Sequence, residues 1–371
     1  MKNNISFCLR MIFTSLPLLL IFSNMILFQS CLKNSGTASE RHFSSSNASS
    51  KNSLPEQTSD TKKIIGFSID TLIVERWIRD CDVFIAAARE YGADVIVQNA
   101  NNSVEMQKKQ LQFLIDKGVD ALVIVAKTAD SLVDEVQKAR AKNIPVISYD
   151  RLMLNSDVSL YLSIDSRQTG FLLAQYTFKK KSHGNFWCIF GSEKDHNMLL
   201  FDDGVKTALE GKPVLVPVKF FADEWNYDLA YKKMNSLLET GISPDAVICG
   251  NDAIAEMVIR SLAEHKKSAG IPVVAQDAEI AACRRIVEGT QLATVYKPIT
   301  ELAKLAAKCA CQLANGVSPE ELEEVSGVIN NGLKDVPVCW LEPTLVTREN
   351  LKEAVINSGF HSEDEVFGSA F

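Results

Sequence analysis

The chain of 371 residues lacks the excess of basic charge that nucleic-acid binding requires, because its 46 Asp and Glu outnumber its 39 Lys and Arg. It also lacks the phosphate-binding motifs G-x-G-x-x-G and G-x-x-x-x-G-K-[ST], and the catalytic motifs G-x-S-x-G, H-E-x-x-H and C-x-x-C. Its five histidines are scattered. These absences argue against nucleic-acid binding, nucleotide binding and catalysis, and we expect no catalytic residue, cofactor or metal.

The nine cysteines show no spacing that indicates a disulfide framework or a metal site. Most stand in apolar segments such as Val247–Cys249, where a free thiol behaves as a small hydrophobic group. Cys309 and Cys311 are two residues apart on a predicted helix, so their side chains point about 200° apart and make a poor metal pair. We therefore expect buried free thiols.

The N-terminus has the pattern of an export signal. Residues 1–30 contain no acidic residue, and Lys2 and Arg10 precede an apolar run over residues 11–28. Polar residues and a proline interrupt that run, so a membrane span fits less well. A small residue and then Cys31 follow, as in bacterial lipoprotein signals. We predict a signal peptide over 1–30 and lipidation of Cys31, with an uncleaved anchor or a plain secretory signal as the alternatives.

Residues 31–61 are predicted to form a tether behind the lipidated cysteine. Nine of the thirty residues from 32 to 61 are serine, and large apolar residues are few. Such a segment cannot bury enough apolar surface to fold. As a flexible coil it would reach about 30 Å, which suits a domain held off a membrane outside the cytoplasm.

From Lys63 onward, short β-rich runs alternate with amphipathic helical segments, which predicts parallel sheets covered on both faces. The first half predicts strands 64–69, 95–98, 121–126 and 144–148, with helices 75–91, 104–117 and 130–142. The second half predicts strands 185–190, 214–220, 246–249, 273–276 and 293–296, with helices 167–180, 197–209, 227–239, 253–267, 279–288 and finally 301–315. The chain is therefore predicted to be an α/β protein with two doubly wound parallel-sheet lobes.

Polar or aromatic side chains follow nearly every predicted strand, and ligands of such sheets bind outside the carboxyl ends of the strands. A single Asp or Asn there is often only a helix cap. The recurrence favours a polyhydroxyl ligand, because each hydroxyl both donates and accepts hydrogen bonds. The groups at the strand exits are Asp70, Arg76, Trp77, Asp150, Arg151, Asp195, Asn197, Trp225, Asn251, Asp277 and Lys297.

Several of these runs resemble the type I periplasmic binding proteins of sugar ABC importers, and among them the D-xylose-binding members. The resemblance extends from about Lys63 to Gly359. The matching runs are Glu75–Trp77 (ERW), Tyr149–Arg151 (YDR), Asn251–Ala253 (NDA), Gln276–Ala278 (QDA), Thr294–Thr300 (TVYKPIT) and Asn331–Pro337 (NGLKDVP).

The resemblance implies that the chain binds a monosaccharide, with D-xylose the first choice, and passes it to ABC permease subunits in the membrane. The implied contacts to the sugar are Arg76, Asp150, Arg151, Asn197, Asn251, Asp277 and Lys297, with Trp77 and Trp225 on the two faces of the ring. No enzymatic activity is implied.

The resemblance also implies that three crossovers join the lobes, near Ile164, Tyr296 and Gly332. The N-terminal lobe would comprise residues 62–163 and 297–332. The C-terminal lobe would comprise 164–296 and 333–360, followed by a tail over 361–371.

Other functions remain open at this point. The same lobes could report sugar to a membrane receptor, or bind another pentose or hexose. A soluble repressor with this core would need a basic helix-turn-helix before Lys63, and the apolar, acid-free N-terminus argues against one. An enzyme would need an activated nucleophile or two carboxylates in contrasting environments.

Overall fold

The computed structural model describes residues 62–72 and 75–368. The predicted signal peptide, Cys31 and almost all of the predicted tether lie outside the described residues. Within the described ranges, no helix is both long enough and apolar enough to cross a membrane. The seven cysteines of this part are free and buried, as their apolar sequence contexts predict.

Strands and helices alternate along most of the chain. The first half contains β1 (Lys63–Ile69), α1 (Glu75–Glu90), β2 (Ala93–Asn99), α2 (Val104–Lys117), β3 (Ala121–Ile124), α3 (Val133–Ala141), β4 (Val146–Tyr149), β5 (Leu160–Ile164) and α4 (Ser166–Lys180). The middle contains β6 (Gly184–Phe190), α5 (His196–Leu209), β7 (Val214–Phe221), a 3-10 turn (Asp223–Trp225), α6 (Tyr227–Glu239), β8 (Ala246–Cys249), α7 (Asp252–Glu264), β9 (Val273–Val274), α8 (Ile280–Glu288) and β10 (Thr294–Tyr296). The last part contains α9 (Ile299–Ala314), a 3-10 turn (Pro319–Glu321), β11 (Gly327–Asn330), β12 (Asp335–Leu341), β13 (Thr344–Val346), a π-helical turn (Lys352–Ile356) and α10 (Glu363–Phe367).

The first lobe is built on a seven-stranded sheet in the order β11-β12-β5-β4-β3-β1-β2. All neighbouring pairs are parallel except β11 and β12. Helices cover both faces, since Phe84 of α1 and Ala303 of α9 pack on one face, and Leu111 of α2 and Val136 of α3 on the other. Burial on both faces explains why the central strands are almost continuously apolar.

The second lobe contains a parallel four-stranded sheet in the order β7-β6-β8-β9, and an antiparallel pair of β10 and β13. A single bridge between Val274 and Ala293 connects the two groups of strands. Leu173 of α4 and Phe201 of α5 pack on one face, and Met234 of α6 and Val258 of α7 on the other. The predicted α/β fold with parallel sheets is confirmed.

The chain passes between the lobes three times. It leaves the first sheet between β5 and α4, returns between β10 and α9, and leaves again between β12 and β13. The sequence predicts the third crossover near Gly332, and this is wrong: Asp335–Leu341 pairs with β5 and belongs to the first lobe. Residues 361–368, predicted as a tail, contain α10, whose Val366 packs in the core around α8.

The run at Asn331–Pro337 closes a hairpin and does not serve as a hinge. The buried Asn331 side chain donates to the carbonyl oxygens of Met153 at 3.1 Å and Ser156 at 2.7 Å. It accepts from the backbone amides of Leu333 and Lys334, both at 3.1 Å. This asparagine therefore fixes the β11–β12 turn against the loop that follows β4.

Asn331→Ala is expected to lower the free energy of unfolding by about 3 kcal/mol, because two buried hydrogen bonds, to the carbonyl oxygens of Met153 and Ser156, and two part-buried ones at the turn are lost. Urea denaturation measures the change. The matched control is Asn330→Ala, whose side chain is exposed and should cost less than about 1 kcal/mol. Equal losses in the two variants would contradict the role given to Asn331.

Candidate functional site

The carboxyl ends of the strands in both lobes border one cavity of about 210 Å³. This is below the roughly 300–1,000 Å³ of sites for drug-sized ligands, and it suits a small molecule. All nine residues predicted to contact a ligand line this cavity: Arg76, Trp77, Asp150, Arg151, Asn197, Trp225, Asn251, Asp277 and Lys297. The structure therefore brings the predicted residues of both lobes together.

Asp150, just past the end of β4, connects the two lobes. Its carboxylate pairs with the guanidinium of Arg76, from the first turn of α1. Its carbonyl oxygen accepts from the Asn197 side chain of the second lobe at 2.8 Å, and from Ser163 of β5 at 2.8 Å. Burial alone would raise the pKa of Asp150, but the positive charges of Arg76 and Lys297 lower it overall. The carboxylate is thus held ionised.

Asp80 lies behind Arg76, one helical turn further along α1. Its side chain is fully buried and accepts from the Tyr149 hydroxyl at 2.9 Å, while the Nε of Arg76 lies 3.6 Å away. Burial raises the pKa of Asp80 to about 7, because the opposing effect of Arg76 is smaller. The pKa of Arg76 is raised, since the carboxylates of Asp150 and Asp80 outweigh the effect of its burial. Sequence analysis did not identify Asp80.

Arg151 makes a second connection between the lobes. Its Nη1 donates to Asp70, after β1, at 2.6 Å, and to the carbonyl oxygen of Ala126 at 3.2 Å. Its Nε lies 3.6 Å from Asp195 of the second lobe. Asp195 also caps α5, so it serves as both helix cap and ion-pair partner. Burial lowers the pKa of Arg151, but the carboxylates of Asp195 and Asp70 raise it overall.

The third pair of opposite charges lies beside the second crossover. Lys297 Nζ is 2.9 Å from Asp277 Oδ1, and both side chains line the cavity. Asn251 lies nearby and caps α7, where its Oδ1 accepts from the amide of Ile254 at 2.9 Å. The N-cap residue of α8 is Glu279. Asp277 therefore does not cap that helix, and its side chain can pair with Lys297.

The two tryptophans occupy different environments. Trp77 is 4% exposed, and the guanidinium carbons of Arg76 and Arg151 lie 4.4 and 5.5 Å from its ring centroid. Trp225 packs over the end of β6, where a Cβ on Gly191 would lie 2.3 Å from its indole ring. Only glycine at 191 therefore permits this position of Trp225.

Backbone strain is concentrated at the cavity. Five non-glycine residues around it have left-handed φ values, each of which costs free energy relative to ordinary conformations. They are Asp150 at +63°, Glu224 at +52°, Trp225 at +58°, Asp277 at +105° and Ala278 at +50°. Strain of this kind persists where surrounding structure enforces it, and it clusters at functional sites.

The cavity lining contains many charged side chains, with equal numbers of each sign. Its lining contains five cations, Arg76, Lys127, Arg151, Lys194 and Lys297, and five carboxylates, Asp70, Asp150, Asp195, Glu224 and Asp277. Lys127, Lys194, Glu224 and Tyr227 were not predicted as site residues. Lys127 follows the predicted strand 121–126 directly, so the strand-exit rule could have identified it.

A family model described as periplasmic binding protein domain matches residues 65–318. The chain belongs to this periplasmic binding protein family. The resemblance stated from the sequence is thereby confirmed.

Relatives of this periplasmic binding protein include two D-xylose-binding periplasmic proteins. The one from Escherichia coli K12 is 38% identical over 307 residues, which cover 81% of this chain and 92% of the relative. The one from Haemophilus influenzae is 36% identical over 308 residues, covering 82% and 92%. A solved ABC transporter solute-binding protein from Clostridium phytofermentans, with bound β-D-glucose, superposes with a TM-score of 0.75 at 29% identity and covers 82% of this chain and 100% of its own.

Asp80→Asn is expected to remove a pH dependence of stability between about pH 4 and pH 7. The folded protein keeps a proton on Asp80 up to about pH 7, whereas the ordinary pKa is 3.8. The wild type therefore loses stability as the pH rises through this window, by up to about 1.4 kcal/mol per pH unit, and the variant does not.

Urea unfolding of both proteins across that window measures the difference. Tyr149→Phe is the matched control, because it removes the hydrogen bond to Asp80 but keeps the titrating carboxylate. Parallel pH profiles for the wild type and Asp80→Asn would show that Asp80 is ionised throughout.

Proposed function

We propose that this protein captures a neutral monosaccharide, with D-xylose the first choice, between its lobes and delivers it to an ABC permease in the membrane. The observation that carries this proposal is the composition of the cavity lining. Its five cations and five carboxylates have no net charge, and two tryptophans lie among them. A ligand with net charge would upset that balance. A neutral molecule with many hydroxyls can use both signs of charge at once, because each hydroxyl donates and accepts.

Each predicted contact has a chemical role in this proposal. Arg76, Arg151 and Lys297 donate to sugar hydroxyls, Asp150 and Asp277 accept from them, and Asn197 and Asn251 can do both. Trp77 and Trp225 cover the C–H faces of the ring. Hydrogen bonds to charged groups contribute roughly 1.5–3 kcal/mol each, so four or five of them reach micromolar affinity, about −8 kcal/mol, after the costs of desolvation and ordering.

The connections between the lobes support a closure mechanism. Residues of both lobes line the cavity, and Asp150 contacts Asn197 while Arg151 faces Asp195 across the gap. A sugar that contacts both lobes stabilises the closed form by its difference in affinity for the closed and open states. The permease would then recognise the closed form. Hinge closure around a ligand is the motion for which periplasmic binding proteins are a general example.

Relatives with different ligands define the alternatives. The two relatives described above are named for D-xylose, and the solved structure contains β-D-glucose. Another pentose or a hexose is therefore the second candidate ligand. The same lobes could also report sugar to a membrane receptor. We propose no enzymatic activity, because three carboxylates of the cavity, Asp150, Asp70 and Asp277, are each paired with a cation.

We also propose that the protein is an extracytoplasmic lipoprotein. The proposal rests on the sequence of residues 1–61: a basic, acid-free start, an apolar run, Cys31 and a serine-rich tether. A lipid on Cys31 would hold the sugar-binding part near the permease.

Calorimetric titration is expected to show that D-xylose binds with a dissociation constant in the micromolar range, about −8 kcal/mol. Ribose, arabinose, glucose and galactose complete the panel, and the tightest ligand identifies the sugar. If none of the five binds more tightly than about 1 mM, the sugar-binding proposal is wrong.

In the same assay, Asp150→Asn should weaken binding about 30-fold, or roughly 2 kcal/mol, because a buried ionic acceptor is replaced by a neutral amide. Asparagine tolerates the left-handed backbone at this position. Asp116→Asn, at an exposed ion pair far along α2, is the matched control and should leave affinity unchanged. An unaltered affinity in Asp150→Asn would place the site elsewhere.

Cys31→Ser is expected to release the protein from membranes, because the thiol that accepts the lipid is lost. Fractionation of cells that express either form, with detection by antibody, measures the distribution. Cys81→Ser, at a buried thiol, controls for loss of a cysteine elsewhere. Retention of the Cys31→Ser protein on membranes would favour an uncleaved N-terminal anchor.

A further inference from the structure

A fully buried carboxylate, Asp252, follows the predicted sugar contact Asn251 directly and belongs to the first turn of α7. Its side chain has no exposed surface. It therefore cannot contact a ligand in the cavity, and any effect on binding must pass through its neighbours. Burial of a carboxylate is costly unless hydrogen bonds satisfy it, so the partners of Asp252 indicate its role.

Three donors satisfy this carboxylate. The Nε2 of Gln291 donates to Oδ1 of Asp252 at 2.7 Å, and the backbone amide of Glu279 donates to Oδ2 at 3.1 Å. The hydroxyl oxygen of Thr294, in β10, lies 3.0 and 2.8 Å from the two carboxylate oxygens. Asp252 thus joins the start of α7 to the cap of α8 and to β10.

These bonds surround the loop that contains the predicted sugar contact Asp277. Before Asp277, the carbonyl oxygen of Gln276 accepts from the backbone amide of Asp252 at 3.0 Å. After it, the backbone amide of Ala278 donates to the hydroxyl of Thr294 at 3.1 Å, and the same hydroxyl contacts Asp252. The loop is therefore bound to Asp252 directly and through Thr294.

Asp277 and Ala278 need such support because both have left-handed φ values, +105° and +50°. Non-glycine residues rarely adopt this region, and it persists only where surrounding structure enforces it. His361 adds a further restraint, since its Nε2 lies 2.8 Å from the carbonyl oxygen of Ala278. In the resulting conformation, Oδ1 of Asp277 lies 2.9 Å from Nζ of Lys297, and both side chains line the cavity.

We propose that Asp252 is a positioning residue of the sugar site, because it holds residues 276–279 in the strained conformation that presents the Asp277 carboxylate to the ligand. This inference rests on the proposed sugar-binding function and adds a residue outside the predicted contacts. Both oxygens of Asp252 face donors. Asparagine has the same shape but sets an amide NH₂ against one of those donors, so it releases the loop without leaving a cavity.

The first test is Asp252→Asn in the full chain, titrated by calorimetry with D-xylose, ribose, arabinose, glucose and galactose. We expect the affinity for the sugar that the wild type binds most tightly to fall about tenfold. Asp202→Asn is the matched control, since it changes another buried aspartate of the second lobe, one that pairs with Lys206 and Lys219. It should leave affinity within about twofold of the wild type. Circular dichroism and thermal unfolding verify that each variant folds.

The second test changes the hydroxyl between Asp252 and Ala278. Thr294→Val keeps the shape of the side chain and removes the hydroxyl, so it should also weaken binding about tenfold. Thr294→Ser keeps the hydroxyl and should bind within about twofold of the wild type. Should Asp252→Asn not fold, Thr294→Val takes its place in the comparison that follows.

A double-mutant cycle with Asp277→Gly separates positioning from a general loss of stability. Glycine accepts the φ of +105° but has no carboxylate to position. Asp277→Gly alone should weaken binding at least tenfold, and Asp252→Asn added to it should weaken binding less than about twofold further.

Additive losses in the cycle would overturn the positioning role, and so would wild-type affinity in both Asp252→Asn and Thr294→Val. Either result leaves the proposed function intact, since the wild type still binds sugar. If the wild type binds none of the five sugars, both proposals are wrong.

Discussion

The backbone of Asp150 follows β4 in the left-handed region, with a φ of +63°, at the point where the two lobes meet. In this conformation one residue presents its carbonyl oxygen to Asn197 of the second lobe and its carboxylate to Arg76. The contact between the lobes and the position of the Arg76 guanidinium therefore both depend on Asp150. Asp80 lies on the other side of Arg76, 3.6 Å from its Nε. Arg76 therefore lies between two acids, of which Asp80 has a raised pKa and Asp150 a lowered one.

These buried charges and strained residues lower the stability of the fold, and the proposed ligand-binding role gives a reason for keeping them. Transfer of paired ions into a protein interior is often no more stabilising than apolar residues of similar volume. The left-handed residues at the cavity add strain. The rigid part of each lobe lies elsewhere, in sheets whose central strands are buried on both faces. These apolar cores hold the strand ends in place, and the strand ends can then carry charge.

The same division explains what could be predicted from sequence. Alternating strands and helices identified most elements. Because the carboxyl ends of parallel strands share one edge, polar side chains far apart in sequence could be expected at one cavity, and the family resemblance selected the nine that line it. No helix separates β5 from β4, so that strand was missed. The membership of β12 in the first lobe depends on its pairing with β5, a tertiary contact that periodicity does not encode. Asp80 was not predicted because it lies within helix α1 and follows no strand. It contacts Arg76, which in turn lines the cavity.

Discrimination among sugars in such a cavity depends on polar pairing more than on volume. A site built to hydrogen-bond a hydroxyl rejects an analogue that lacks it, because the buried partner is left unpaired, whereas an extra carbon group costs little where space remains. In the proposed site, the charged pairs at Asp150, Arg151 and Lys297 would therefore set which hydroxyls the sugar must carry.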